Sequence, residues 1–242
     1  MRHRQGIYKG NKDLIIGMGE VGSALWYVLS PFHTIATIDL KEEIKCKPQI
    51  LHICFPFSKK FISEVKRYQK LYKPKFTIIH STVPIGTSRR CGAIHSPIRG
   101  MHPKLEESLR MFPKFLGGKD ASKVADYFRK AEMKVILVDK QETTEALKLF
   151  DTEYYKVVIE FCHRVKKYCD FYELNFSDIY RLGNLTYNEG YAKLGYPEYT
   201  RPILEPIRGP ISGHCVLPNS ALLKISEDAV YKGTSNSKLI DG

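Results

Sequence analysis

Residues 13–25 read Asp-Leu-Ile-Ile-Gly-Met-Gly-Glu-Val-Gly-Ser-Ala-Leu, an apolar run joined to a helix-forming run through Gly17, Gly19 and Gly22. A short apolar stretch ended by glycine reads as a buried strand, and the small and apolar residues after Gly22 read as a helix. In this order each glycine has its own mechanical task. Gly17 permits the tight strand-to-helix turn, Gly19 lets the backbone approach a pyrophosphate, and Gly22 lets the helix pack closely on the strand. The N–H groups that open a helix then present partial positive charge to phosphates. A second strand, residues 34–39, ends in Asp39, 22 positions after Gly17. At about that spacing a carboxylate meets a ribose 2′-hydroxyl. The expected dinucleotide contacts are Gly17, Met18, Gly19, Glu20, Val21, Gly22 and Asp39. Asp39 would repel a 2′-phosphate, which favours NAD over NADP, and Lys41 tempers that preference.

Strands and helices go on alternating beyond this turn. Residues 49–55 read as a strand closed by Pro56, and residues 59–72 as a basic amphipathic helix with Phe61, Val65 and Tyr68 at helical spacing. Residues 76–80 read as a strand running into Ser81-Thr82-Val83-Pro84, residues 122–131 as a helix and residues 134–139 as a last strand. The pattern predicts an α/β fold, a Rossmann-type doubly wound and mostly parallel sheet. From residue 143 to 171 there is neither Pro nor Gly, and Ala146, Phe150, Tyr154, Val157, Phe161 and Val165 recur at helical spacing. One long amphipathic helix is expected, capped by Thr143 or Thr144. An interrupted helix over 177–191, a Pro/Gly-rich stretch over 195–218 and a short tail, loosely ordered at its end, complete the chain. The expected division is a dinucleotide-binding domain, 1–140, and a smaller all-α domain, 141–242, for substrate binding and dimerisation.

The 242 residues are 43% hydrophobic and 26% charged, the balance of a soluble globular protein. No apolar run approaches the roughly 18 residues of a membrane span. The opening Met-Arg-His-Arg-Gln-Gly has no apolar core after its basic residues, so no signal peptide is expected. Cys46, Cys54, Cys91, Cys162, Cys169 and Cys215 form neither a CxxC pair nor a metal-ligand spacing. That usage indicates a reducing, cytoplasmic setting without disulfides or a metal. The net charge of +12 comes from lysines spread along the chain rather than gathered in a stripe, so no nucleic-acid partner is expected. A basic surface attracts phosphorylated or carboxylated small molecules; a solvated lysine-rich face is the plainer reading.

Ligands of such sheets sit beyond the carboxyl ends of the strands. Phe55, Pro56 and Phe57 lie at one such end, to pack against the cofactor or to anchor the loop. Ser81 and Thr82 lie at another, as hydroxyls near a nicotinamide or as an ordinary strand-end turn. Lys148 falls one turn into the long helix with Thr152 one turn further on the same face. A lysine there is an acid/base group for an alcohol undergoing oxidation, or a solvated cation. His214 and Cys215 occupy the Pro/Gly-rich stretch, where a thiol is accessible and positive charge favours its thiolate. Arg99, His102 and Lys104 are candidate anion contacts.

In combination these segments resemble the nucleotide-sugar 6-dehydrogenase superfamily, which acts on UDP-glucose, GDP-mannose and UDP-N-acetylmannosamine. The resemblance rests on the glycine turn, Asp39, Ser81-Thr-Val-Pro84, Ser96-Pro-Ile-Arg-Gly100, Glu145-Ala-Leu-Lys148 and Ser212-Gly-His-Cys-Val-Leu-Pro-Asn219, and spans about residues 12–225. It implies an NAD-dependent oxidation of a primary alcohol to a carboxylate through a thiohemiacetal and a thioester on Cys215. Lys148 would stabilise oxyanion character and Thr82 would orient water or substrate. Arg99, His102, Thr152, His214 and Asn219 complete the candidate substrate contacts. The chain departs from the family in carrying Thr152 for Asn, Asn219 for Asp and Ile98 for the Glu of Ser-Pro-Glu. A shortened member, without the family's third, nucleotide-binding domain, is expected. The expected activity is oxidation of an alcohol of a small, anionic, sugar-like substrate by a homodimer, with no membrane partner. Two readings stay beside it: a β-hydroxyacid or 6-phosphogluconate-type dehydrogenase, and a non-catalytic NAD-binding sensor. Met101-His102-Pro103 also resembles prephenate dehydrogenases weakly.

Overall fold

The computed structural model describes residues 13–40, 42–206 and 216–231. Short apolar runs bounded by Gly, Pro and polar residues form the strands β1 (Asp13–Ile16), β2 (Ile35–Ile38), β3 (Ile50–Ile53), β4 (Phe76–Ile79), β5 (Ile94–His95), β6 (Lys114–Gly117) and β7 (Val135–Val138). They make one sheet in the order β2-β1-β3-β4-β5-β6-β7. Every neighbouring pair is parallel except β5 and β6, where His95 stands opposite Gly117. The helices are α1 (Glu20–Leu29), α2 (Phe61–Tyr72), α3 (Thr87–Arg90), α4 (Leu105–Met111), α5 (Ala125–Lys130), α6 (Gln141–Phe171), α7 (Gly183–Lys193) and α8 (Val216–Tyr231). The fold is the expected Rossmann-type sheet followed by a smaller helical part built on one long helix.

Successive strand residues face opposite sides of the sheet. Ile15, Ile50, Ile78 and Ile94 pack on one side beneath α1, α4 and α5, through Leu25, Leu109 and Phe128 among others. Leu14, Ile16, Leu51, Ile53 and Ile79 pack on the other beneath α2, through Phe61, Val65 and Tyr68. The sheet is thereby covered on both faces, as its mostly parallel pairing requires.

Several elements differ from expectation. β5, β6 and α4 lie in the stretch between residues 81 and 122, where β5 has only two residues and β6 opens on a lysine and ends on a glycine. The expected tail contains α8, with Pro218 as its third residue. Proline is tolerated there because the N–H groups of a first turn have no intrahelical acceptor. Neither Thr143 nor Thr144 caps α6, which opens at Gln141; the Thr144 hydroxyl binds the Gln141 carbonyl (2.8 Å) and His95 Nδ1 (2.8 Å) instead. The expected apolar face of α6 is turned outward: Phe150, Tyr154, Val157 and Phe161 are 46–61% exposed. The buried stripe is Leu149, Thr152, Ile159, Cys162 and Cys169. Thr152, Cys162 and Cys169 interrupt its hydrophobicity, so the apolar pattern alone does not mark the face that is buried within the chain.

The chain divides into two compact units, residues 1–149 with 222–242, and residues 150–221. The division falls within α6, because Thr144, Glu145 and Leu149 are buried in the first unit. No helix among the described residues is long and apolar enough to cross a membrane.

Candidate functional site

The turn between β1 and α1 is built as the three glycines require. Gly17 has φ +94°, and a Cβ there would stand 2.7 Å from the Phe55 backbone nitrogen. A Cβ on Gly22 would stand 1.9 Å from the Gly17 carbonyl oxygen, so α1 begins directly against the turn. At Gly19 a Cβ would meet nothing within 4 Å. Gly19 is also the N-cap of α1 and supplies no side-chain cap. The start of a ten-residue helix therefore faces space with its N–H groups uncapped by any side chain. Met18 accepts a hydrogen bond from the Ser23 hydroxyl (3.0 Å), and Val21 packs on the core. Glu20 pairs with His102 Nδ1 at 3.0 Å, bringing a predicted substrate contact to this turn.

Asp39 follows β2 at the same sheet edge and is exposed. Its carboxylate accepts the Leu40 N–H (2.9 Å), and its own N–H donates to the Glu42 carboxylate (2.9 Å). Sequence reasoning missed Glu42 as a second acid here. Lys41 lies outside the described residues.

At the end of β3 the Phe55 ring turns into the core against Phe61, 5.0 Å between centroids. Only its backbone meets the glycine turn. Pro56 is exposed, and Phe57 packs on Phe61 at 5.6 Å. Ser81 is buried and donates to the Phe55 carbonyl (2.6 Å), tying the ends of β3 and β4 together. Thr82, next in the chain, is half-buried.

The start of α6 is fastened to these strand ends. The Glu145 carboxylate accepts the Gly86 N–H (2.6 Å) and the Ser88 N–H (2.7 Å). Burial outweighs these bonds and pushes Glu145 up to about 7. His95 links Thr144 to the Ser81 carbonyl (3.2 Å). Lys148, half-buried, is thus carried one helical turn from a carboxylate anchored in the segment that follows Thr82. Beneath them lies Lys114, with 3% of its surface exposed. Its ammonium donates to the Ser96 and Pro97 carbonyls at 2.7 and 3.2 Å. Sequence reasoning did not single it out, because β6 itself was not legible.

Arg99 stands over the Phe112 and Phe115 rings at 5.7 and 5.8 Å, and Lys104 pairs with Glu107 at 3.7 Å. In the second unit, Asn219 Nδ2 donates to the Thr152 hydroxyl at 3.2 Å, both residues buried. Next to them the Ser220 hydroxyl donates to Glu153 (2.6 Å), and Lys156 joins both residues at 3.0 Å. Two of the three positions at which the chain departs from the resembled family therefore meet each other across α6 and α8. His214 and Cys215 lie outside the described residues. A groove of about 480 Å³ in this unit, walled by Tyr154, Phe161, Arg164, Tyr180, Asn184 and Arg201, contains no predicted site residue. Among the described residues no three His, Cys, Asp or Glu side chains gather as metal ligands.

No family model matches the chain, and no curated protein matches it. Solved structures do. A UDP-D-ManNAc dehydrogenase from Pyrococcus horikoshii superposes with a TM-score of 0.67 at 16% identity, over 91% of this chain and 70% of that one. A 3-hydroxyisobutyrate dehydrogenase from Mycobacterium tuberculosis gives 0.64 at 11%, over 96% and 92%. A reductive aminase from Aspergillus terreus, solved with NADPH, gives 0.51 at 13%, over 96% and 98%. Identities this low establish a shared fold.

Proposed function

We propose that the chain is a nicotinamide-dinucleotide-dependent dehydrogenase that oxidises an alcohol of a small, anionic, sugar-like substrate. The observation that carries the reading is the Gly17–Gly22 turn: its one glycine open to space, Gly19, stands at the uncapped start of α1. That cradle fits a pyrophosphate, which needs close backbone approach and helix N–H groups. Asp39 and Glu42 would hold the adenosine ribose, and two carboxylates there favour NAD over NADP. The bound dinucleotide supplies the hydride acceptor. Lys148 takes the hydroxyl proton of the substrate, and Thr82 orients the hydroxyl toward it. Glu145 holds Lys148 in place, so the acceptor is set without reorganising the helix.

Arg99 and His102 would recognise the anionic group, with His102 Nδ1 already 3.0 Å from the Glu20 carboxylate beside the turn. Thr152 and Asn219 offer the substrate a neutral hydroxyl and amide. Cys215 and His214 keep the roles of thiol nucleophile and its neighbour. The outward apolar stripe Phe150, Tyr154, Val157 and Phe161 supports a homodimer built on α6. Free Cys54, Cys91, Cys162 and Cys169, all buried, suit the reducing cytoplasm. A second reading, a β-hydroxyacid dehydrogenase, is favoured by the match over 92% of the hydroxyisobutyrate enzyme.

NADH formation against sugar nucleotides, sugar phosphates and hydroxyacids tests both. Two NADH per substrate, abolished by Cys215→Ser, identifies the sugar-type four-electron reaction. One NADH, unaffected by that substitution, identifies the hydroxyacid type. Lys148→Ala should lower kcat by about 10²–10⁴ in either case. NADH binding without turnover of any alcohol would sink the enzyme reading in favour of a sensor.

A further inference from the structure

β5 and β6 run in opposite directions, with His95 opposite Gly117, while β6 and β7 are parallel. The carboxyl ends of β6 and β7 therefore lie beside the amino ends of β4 and β5, at the edge of the sheet away from the Gly17 turn. Sheets of this kind take ligands beyond the carboxyl ends of their strands. At this edge a cleft of about 390 Å³ is walled by Gln69 of α2, by Lys75 and Thr77 at the start of β4, by Gly92 before β5, and by Lys119 and Gln141 after β6 and β7. Small-molecule sites span roughly 300–1,000 Å³, and the cleft falls in that range. The exposed Lys66 and Lys70 of α2, and Lys73 at its end, run toward it and steer anions there.

The walls carry groups of complementary kinds. The Lys75 ammonium stands 5.4 Å from the centre of the Phe76 ring, itself part of the wall. Lys119 is exposed and follows Gly118, whose φ of +124° turns the chain after β6. Among the described residues neither lysine pairs with a carboxylate; the acid in the wall, Asp120, is held by Lys123 at 2.7 Å. Thr77 is only 6% exposed, and its hydroxyl accepts from Gln69 Nε2 at 3.1 Å. The same Gln69 nitrogen donates to the Cys91 carbonyl at 2.9 Å, which fixes the amide. Among the described residues nothing accepts the Thr77 hydroxyl hydrogen, and nothing donates to Gln69 Oε1. A Cβ at Gly92 would meet nothing within 4 Å, so the backbone there is bare.

We propose that this cleft is a second ligand site, built for a small hydroxylated phosphate monoester of sugar-phosphate size. A phosphate monoester carries a charge of about −1.5 to −2 near neutral pH. Lys75 and Lys119, reaching the cleft from different elements, balance that charge and hold the phosphate oxygens by charge-assisted hydrogen bonds. The Thr77 hydroxyl donates to a ligand oxygen, and Gln69 Oε1 accepts from a ligand hydroxyl. Each of these two groups gains the partner that it lacks within the protein, where burial makes a missing hydrogen bond costly. The site lies at the opposite edge of the sheet from the Gly17 turn, Arg99 and Lys148, and it stands whether or not the chain oxidises an alcohol.

Titration of the whole protein with glucose 6-phosphate, followed by ¹H–¹⁵N NMR, tests the site. The Gly92 backbone amide and the Gln69 side-chain amide should shift together at millimolar ligand. Inorganic phosphate and glucose, titrated separately, should each bind at least about tenfold more weakly. Lys75→Gln combined with Lys119→Gln should weaken glucose 6-phosphate by about tenfold or more and leave Tm in place, since both side chains are exposed. Thr77→Val, which keeps the shape and removes the hydroxyl, should weaken it by about threefold to tenfold. If that buried change lowers Tm, the exposed lysine pair still decides the matter. Gly19→Val and Arg99→Gln, at the opposite edge, should leave the Gly92 and Gln69 shifts unchanged. Absence of those shifts in the wild type, or equal affinity in the wild type and the double lysine variant, would overturn the proposal. Inorganic phosphate binding as tightly as glucose 6-phosphate would overturn it too, because the hydroxylated part would then have no site. Shifts lost in Gly19→Val would do the same, by placing the phosphate on the dinucleotide turn.

Discussion

The two faces of the sheet are built from the same strands and differ in chemistry. Beneath α2 the second face is aliphatic and aromatic, closed by Phe61, Val65, Tyr68 and Tyr72. Beneath α1, α4 and α5 the first face mixes isoleucines with His52, His80 and Lys114. In β3 the contrast sits between neighbours, since Ile53 faces α2 while His52 faces α5. The lesson is that one face supplies adhesion and the other carries a polar line to the carboxyl edge. Buried polar groups cost stability unless every partner is present, so such a line persists where it is fully bonded.

The largest expected effect is on the adhesive face. Phe61→Ala should cost about 3–5 kcal/mol in urea unfolding, since it empties the centre of the α2 contact. A loss below about 1 kcal/mol would mean that the two faces share the work evenly. Next comes pH. Lys114, at about 7 in the folded state against an ordinary 10.5, binds fewer protons folded than unfolded, so stability should rise as pH climbs from 7 toward 10.5. Cys54 and Cys91, pushed up to about 12 by burial, act in the opposite direction only above their ordinary 9. Glu145, raised to about 7, opposes only below that value. Between pH 7 and 9 the gain should be about 2 kcal/mol, and Lys114→Met should flatten it; a flat wild-type profile would contradict the buried cation.

At the carboxyl edge, Gly19→Val should weaken NADH binding by about tenfold or more, roughly 1.4 kcal/mol, with an unchanged Tm. Gly22→Ala, whose Cβ would stand 1.9 Å from the Gly17 carbonyl, should instead lower Tm. Equal NADH affinity in wild type and Gly19→Val would remove the cradle. The smallest effect is the control beside His52: Ile53→Val should cost about 0.5–1.5 kcal/mol, the same at pH 7 and pH 9. A pH-dependent cost there would erase the distinction between the faces.

The glycine turn was legible because its function is backbone geometry, and Gly17, Gly19 and Gly22 state that geometry in residue type. Asp39 was legible by spacing, and the alternating strands by their apolar runs. β5 and β6 were not: β5 is two residues long, and β6 opens on Lys114 and ends on Gly117, so neither shows an apolar run like those of the other strands. Phe55 shows the limit from another side: its position at a strand end was read correctly, while the direction of its ring depended on Phe61 and Tyr68. On α6 the hydrophobic pattern pointed to Phe150 and Tyr154, yet the buried stripe runs through Thr152, Ile159 and Cys162.

By itself the sequence determined a Rossmann-type sheet with a phosphate-sized turn at its first helix and an acid at the end of its second strand. These are local consequences of glycine, of apolar runs and of helix starts. Only the tertiary structure decided that Glu145 would fasten α6 to the strand ends, that Thr152 would meet Asn219, and that Lys114 would stand behind His80. Those pairings join residues 34 to 67 positions apart through the close packing of the sheet and its helices, and no run of neighbouring residues encodes them.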